Sequence, residues 1–281
     1  MKYSALNKIF LIIISLTTSS VAFADVQPAD HRHKISDKAW EENLRKQNFQ
    51  DKSIIEGVEQ NIIELKAPYT AEDASVVPIS IHSKIPQTEE RYIKKMHVFV
   101  DMNPMPLVGL FEFTPDSGKA DLAMRIRVDT FAYVRVVAEM NSGELYMTKS
   151  FVRAKGACSA PPPASMEDSR KLLGKIKMKV VGDLVLGEPN LMQVKVRHPN
   201  ITGMAPIRIG SRVIPPAFFV DTLEMSYNGK LIVKASLTFS VSMDPALRFY
   251  FVPKEGGVMT VKGTDTKKNE FSSDYKVTTN S

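Results

Sequence analysis

Apolar and polar residues alternate at a period of two over most of this 281-residue chain, and that pattern restricts it to sheet. Side chains of a strand point alternately to opposite faces, so strict alternation suits a strand with one buried side. Val77, Ile79 and Ile81 alternate with Pro78, Ser80 and His82, and Leu122, Met124, Ile126 and Val128 alternate with Asp121, Arg125, Arg127 and Asp129. The same period runs through 62–66, 96–100, 107–113, 134–136 and 145–151, with no helix-period stretch between them. Seven short strands in succession predict an antiparallel sandwich. Pro78 inside one of them predicts an edge position, because proline has no N–H to offer a second neighbour.

The second half repeats the plan, with strands read at 175–181, 191–197, 218–227, 230–240, 247–252, 257–263 and 271–277. Asn228-Gly229 sits between two alternating runs and predicts a hairpin whose two turn residues take positive φ. His198 to Pro216 reads as loop. The expected architecture is therefore all-β, two antiparallel sandwich domains in tandem over 52–155 and 170–281. Between them, 156–169 forms a small-residue arm and a linker whose three prolines, Pro161 to Pro163, favour an extended path of ~3.1 Å per residue. Ahead of them, 25–51 holds a polar tail (25–35, read as disordered) and a short helix over 36–48. Ser36 or Asp37 is expected to cap that helix, and Trp40 and Leu44 share a face that anchors it to the first domain.

Residues 1–24 carry the three parts of a secretory signal: Lys2 and Lys8, the apolar run Ile9–Leu16, and Ala22-Phe23-Ala24 before a cleavage expected after Ala24. An exported, periplasmic protein is the expectation. That apolar run is far short of the ~20 residues of a spanning helix, so no membrane insertion is expected. Acidic residues outnumber basic ones by two from Asp25 to Ala160, whereas basic residues exceed acidic ones by six from Pro161 to Ser281. Lys175, Lys177 and Lys179 alternate with apolar residues, the pattern of a sheet's solvent face. That argues against a nucleic-acid footprint.

One cysteine, Cys158, excludes an internal disulfide framework, a thiolate zinc cluster and a CxxC redox pair. It lies in the arm Gly156-Ala157-Cys158-Ser159-Ala160, where it is expected to be exposed. Its neighbours are small, so the sulfur can enter a narrow channel, and Arg153 and Lys155 are expected to favour the reactive thiolate. Two readings stay open on spacing alone, a tethered covalent carrier and an incidental linker cysteine. No Ser/His/Asp arrangement, GxGxxG or P-loop is present, and neither a catalytic residue nor a bound cofactor is expected. His31 and His33 lack further metal ligands, and His82 and His97 sit on strands in surface roles. The Met102-Asn103-Pro104-Met105-Pro106 run is a soft-ligand pattern for copper or, more simply, a Pro-rich turn.

Several stretches carry a resemblance. Val76-Val77-Pro78, Asn103-Pro104, Leu107-Val108, Thr114-Pro115, Gly118-Lys119-Ala120, Arg125-Ile126-Arg127, Ala138-Glu139-Met140 and the cysteine arm resemble the SoxY subunit of the bacterial sulfur-oxidising carrier. His198-Pro199, Thr202-Gly203, Val213-Ile214-Pro215, Phe218-Phe219 and Tyr227-Asn228-Gly229-Lys230 resemble its partner SoxZ. The whole is similar to fused SoxYZ-like carriers associated with quinoprotein dehydrogenases. The resemblance implies immunoglobulin-like sandwiches and a non-enzymatic carrier, with Cys158 holding a thiosulfate- or sulfane-like intermediate as a thioconjugate. It also implies periplasmic partners: quinoprotein dehydrogenases, c-type cytochromes and sulfur-oxidation enzymes. The family arm ends Gly-Gly-Cys-Gly-Gly at a free C-terminus; here only Gly156 matches, Ala157, Ser159 and Ala160 replace glycines, and a second domain follows. A non-covalent docking module for a dehydrogenase or cytochrome is the alternative function.

Overall fold

Fourteen of the fifteen strands among the described residues form where the alternation places them; the short strand Ile54–Glu56 is additional. A computed structural model of the chain describes residues 31–57, 61–160, 166–206 and 210–278. The first half contributes β1 (Ile54–Glu56), β2 (Ile63–Lys66), β3 (Val77–Ser83), β4 (Ile93–Val100), β5 (Leu107–Phe113), β6 (Leu122–Ile126), β7 (Ala132–Met140) and β8 (Leu145–Val152). The second half contributes β9 (Ile176–Val181), β10 (Asn190–Val196), β11 (Val220–Tyr227), β12 (Lys230–Leu237), β13 (Ala246–Phe251), β14 (Gly257–Asp265) and β15 (Glu270–Val277). Asn228 and Gly229 take φ of +47° and +77°, the turn expected between β11 and β12. The expected all-β sandwich is what the chain forms. Residues 1–24, expected as a secretory signal, residues 25–30 and the prolines 161–163 lie outside the described residues.

Both sheets run through both halves. One has nine strands in the order β1-β8-β7-β4-β5-β12-β11-β14-β15, and the other six, β2-β3-β6-β13-β10-β9. The halves are thus laid side by side and stitched along two ladders, β5 to β12 and β6 to β13. One apolar core therefore spans both halves, in which Ile81, Phe111 and Leu122 of the first half pack in one cluster with Met192, Leu223 and Phe249 of the second. Pairing between the described strands is antiparallel except for β1 on β8. Pro78 lies on β3, which is not an outer strand, but β2 stops opposite Ser80 and leaves β3 locally an edge at Pro78.

Close approach at the stitch depends on a glycine. A Cβ on Gly109 would lie 3.0 Å from the Ser236 carbonyl and 3.1 Å from Leu237 Cδ2, across the β5–β12 ladder. Gly109→Val is therefore expected to cost about 1–3 kcal/mol, read as a fall in the urea unfolding midpoint.

The N-terminal helix is longer than the expected 36–48. It runs as α1 (His31–Ala39), a π-helical turn (Trp40–Leu44) and α2 (Arg45–Phe49). Residues 31–35, expected as disordered tail, are helical, and His33 packs on Phe151 with ring centroids 3.7 Å apart. Ser36 and Asp37 do not cap it, because they lie inside it and pin it to the sheet. The Ser36 hydroxyl donates to Asp101 at 2.7 Å and accepts the Tyr133 N–H at 2.9 Å, while Asp37 accepts from Arg135 at 2.6 Å and from Lys149. Trp40, fully buried, anchors the helix as expected, with Leu44, Phe49, Phe99 and Val137 around it. This second cluster covers the outer face of β4 and β7, which explains why Phe99 and Val137 interrupt the alternation there.

Candidate functional site

Strand β6 ends at the seam between the halves, and the residues that follow it hold the cysteine arm. The Arg127 guanidinium is buried; it belongs to the first half but donates to carbonyls of the second, Phe239 at 2.7 Å, Asn200 at 2.8 Å and Val241. Burial pulls its pKa down to about 10, with neighbouring Cys158 working the other way, so it stays charged at neutral pH. Asn103 completes the junction. Its amide donates to the Arg127 carbonyl at 2.8 Å and to the Ser240 hydroxyl at 3.2 Å, and its oxygen accepts the Asp129 N–H at 2.8 Å.

Asp129 clamps the arm from one side. Its carboxylate accepts the Cys158 N–H at 2.9 Å, and its backbone carbonyl accepts the Gly156 N–H at 2.7 Å. From the other half, the Thr202 hydroxyl donates to the Cys158 carbonyl at 2.7 Å. Gly156 makes the turn that brings the arm into this clamp, at φ +83°, where a Cβ-bearing residue is strained. Thr202 is in turn positioned by the backbone pairing of Ile201 with Phe218.

Cys158 is buried, at 1% exposure, and so is Ala157; Ala160 is half-buried and Ser159 exposed. The expectation of an exposed thiol with a favoured thiolate is overturned. Burial foremost pushes the thiol up to about 12, and the Asp129 carboxylate adds to that against a pull from Arg127. The cations expected to help stand elsewhere. The Arg153 guanidinium lies over the rings of Tyr69 and Phe131, 5.8 and 5.3 Å from their centroids, and Lys155 faces solvent. A neutral, enclosed sulfur is a poor nucleophile. In this arrangement the hydrogen bonds with Asp129 and Thr202 hold the arm with its thiol buried.

Next to the arm is a cavity of about 470 Å³, walled by Cys158 and Ala157, by Asn200 and Thr202 of the second half, and by Arg125 and Arg127 of the first. The remaining sequence candidates take structural places. His198 is wholly buried, accepts the Asn200 N–H at 3.0 Å and sits 3.5 Å from Asp265; burial, foremost, lowers its pKa. His97 is half-buried and packs edge-on against Phe49, whereas His82 bonds Asp121 at 3.0 Å. Asn103 of the Met-Asn-Pro-Met-Pro run is a seam residue, and Met105 is exposed. Among the described residues no three His, Cys, Asp or Glu side chains gather as a metal-ligand set, and no helix is long and apolar enough to cross a membrane.

The two halves match two families. Residues 45–158 match Sulfur oxidation protein SoxY, in a stretch that ends on Cys158, and residues 178–276 match Sulphur oxidation protein SoxZ. The chain is a SoxY joined to a SoxZ. No curated protein matches it. Among solved structures it is similar to the sulfur carrier protein SoxY of Chlorobium limicola f thiosulfatophilum, 24% identical over 43% of this chain and 96% of that one, with a TM-score of 0.33. A superoxide reductase (neelaredoxin) of Ignicoccus hospitalis is 11% identical over 33% and 79%, at 0.30. The fibronectin(III)-like modules of Clostridium thermocellum CbhA are 10% identical over 78% and 94%, at 0.24. SoxY and SoxZ are sulfur-oxidation carrier proteins, and the fused SoxYZ chain is one of that kind.

Sequence reasoning placed Cys158 at the junction of the two halves but missed what surrounds it. Arg127, Asp129 and Thr202 read in sequence as strand polar residues and loop. Yet Asn103-Pro104, Arg125-Ile126-Arg127, His198-Pro199 and Thr202-Gly203 all carried the resemblance, and in the fold they converge on the seam at Cys158. That shared destination was the available signal.

Proposed function

We propose that this fused SoxYZ is a periplasmic covalent carrier, exported by the signal segment and cleaved after Ala24, with Cys158 as the attachment point. The observation that carries the reading is the arm itself, with a lone thiol at the end of the SoxY match, held at the seam by reversible hydrogen bonds beside a cavity. The cargo is a thiosulfate- or sulfane-like intermediate. Joining the Cys158 thiol to thiosulfate through a new S–S bond leaves a sulfonate-terminated conjugate and releases one proton and two electrons. A partner oxidoreductase must take those electrons, and a c-type cytochrome or a quinoprotein dehydrogenase has the right chemistry. Gly156, Ala157, Ser159 and Ala160 serve as the arm, with catalysis left to the partners.

Intact mass of the protein isolated from the periplasm of cells oxidising reduced sulfur tests this reading. Wild type is expected to carry adducts on Cys158, and Cys158→Ala is expected to lose them entirely. A wild-type mass that never departs from the free thiol ends the covalent reading. Burial of Cys158 favours a second reading, non-covalent docking of a dehydrogenase or cytochrome, in which capture of the partner is the same in Cys158→Ser as in wild type.

A further inference from the structure

The excess positive charge of the second half, read from sequence as a solvent-facing sheet surface, is in part gathered at the seam. Among the described residues five cations line the cavity beside Cys158: Arg125 and Arg127 from the first half, Arg170 from the short helix α3 (Met166–Lys171), and Lys195 and Arg197 from the end of β10 and just beyond it. Two carboxylates line the same cavity among the described residues, and both are engaged. Asp244 is buried and takes the Ser169 hydroxyl at 2.8 Å, the His198 N–H at 3.1 Å and the Arg197 guanidinium. Asp73 takes the N–H and the hydroxyl of Ser75, at 2.8 and 2.6 Å.

Neutralisation is therefore incomplete. Among the described residues the Arg125 guanidinium bonds only the Asp244 backbone carbonyl, at 3.2 Å, and Arg170 has no carboxylate partner. Lys195 lies 3.9 Å from the Asp244 carboxylate, which favours its charge. Burial, foremost, lowers its pKa nonetheless, and the charges of Arg197, Arg125 and Lys177 act with burial. Like charges held in a half-enclosed space repel one another more than they would in open water, and an anion placed among them removes that cost. The planar N–H forks of arginine match oxygen pairs on a tetrahedral oxyanion, a geometry that a spherical halide cannot exploit.

We propose that the seam cavity is a binding site for a small, doubly charged oxyanion of the sulfate type, held by Arg125, Arg170, Lys195 and Arg197. Arg127, committed to three carbonyls, shapes the wall and contributes field. The oxyanion has two possible sources, a free ion or the sulfonate end of a group carried on Cys158. The second source rests on the carrier reading above.

Calorimetric titration of the full chain carrying Cys158→Ser tests the site without any covalent chemistry. Sodium sulfate and sodium thiosulfate are each titrated against sodium chloride at matched ionic strength. The expected result is saturable binding of one oxyanion per chain that chloride does not reproduce, weakened at least about tenfold in Arg125→Gln and in Arg170→Gln. Thermal melting of both variants without anion checks that they fold. Sulfate heats indistinguishable from chloride, or binding unchanged in both variants, overturn the proposal.

A second arm separates the sources. Wild type is modified at Cys158 in urea with a sulfonatoethyl or a hydroxyethyl methanethiosulfonate reagent, then refolded. A tethered sulfonate that blocks free sulfate, where the hydroxyethyl tether does not, assigns the site to carried cargo. Equal sulfate binding with both tethers assigns it to the free ion. Because the first arm lacks the thiol, a carrier that never loads leaves its outcome unaffected, and an empty cavity leaves the mass test of Cys158 unaffected.

Discussion

Native Cys158 is expected to react with iodoacetamide at pH 8 at least about thirtyfold more slowly than the same residue in the unfolded chain. A pKa of about 12 in place of the ordinary 9.0 leaves three decades less thiolate. The more basic thiolate is the better nucleophile, which returns only about one and a half of those decades. Enclosure of the sulfur slows the native protein further. Thr202→Val removes the hydroxyl that donates to the Cys158 carbonyl and keeps the side-chain shape. Orphaning a buried carbonyl costs about 1–3 kcal/mol, so the closed arm should open about tenfold more often and labelling accelerate to match. A native rate equal to the unfolded rate, or a Thr202→Val rate equal to wild type, would remove the clamp from the account. The sign for stability also follows. Above pH 9 the unfolded thiol ionises while the folded one stays neutral up to about 12, so the folded state binds more protons and loses stability across that window.

Arg127→Met is expected to cost about 3–5 kcal/mol in chemical denaturation, the largest single-residue effect at the seam. The guanidinium donates to carbonyls at Phe239, Val241 and Asn200, all from the other half, and methionine can fill the volume but not donate. Because Asn200 stands two residues before Thr202, the same change should loosen the clamp and raise the labelling rate of Cys158. A cost below about 1 kcal/mol would mean that the two stitched ladders hold the halves together without this junction. Cooperative, single-step unfolding is expected of wild type, since one core spans both halves.

Much of this was readable in advance, for local reasons. Strand positions follow from alternation, a property of each segment alone, and β3, β5, β10 and β15 fall within a residue or two of their expected bounds. Trp40 announced itself as an anchor because a large apolar ring in a polar helix must be covered. The hairpin at Asn228-Gly229 was legible because two positive-φ residues in a row have few other uses. The cap expected at Ser36 failed because the same short polar side chains that cap a helix also hydrogen-bond a sheet beneath it, and only the docked position of Asp101 and Tyr133 decides between them.

The amino-acid order alone thus determined two runs of alternating strands, one helix with a buried ring, and a single thiol between the halves. Only the tertiary structure decided that the halves merge along β5–β12 and β6–β13, because alternation states which face of a strand is buried and not which strand lies beside it. The fate of Cys158 was decided there too. Gly, Ala and Ser around a cysteine describe a flexible arm as long as nothing else is near; folding brings Asp129 and Arg127 from one half and Thr202 from the other. These residues, distant in sequence, set its burial and its charge state, which no local pattern records.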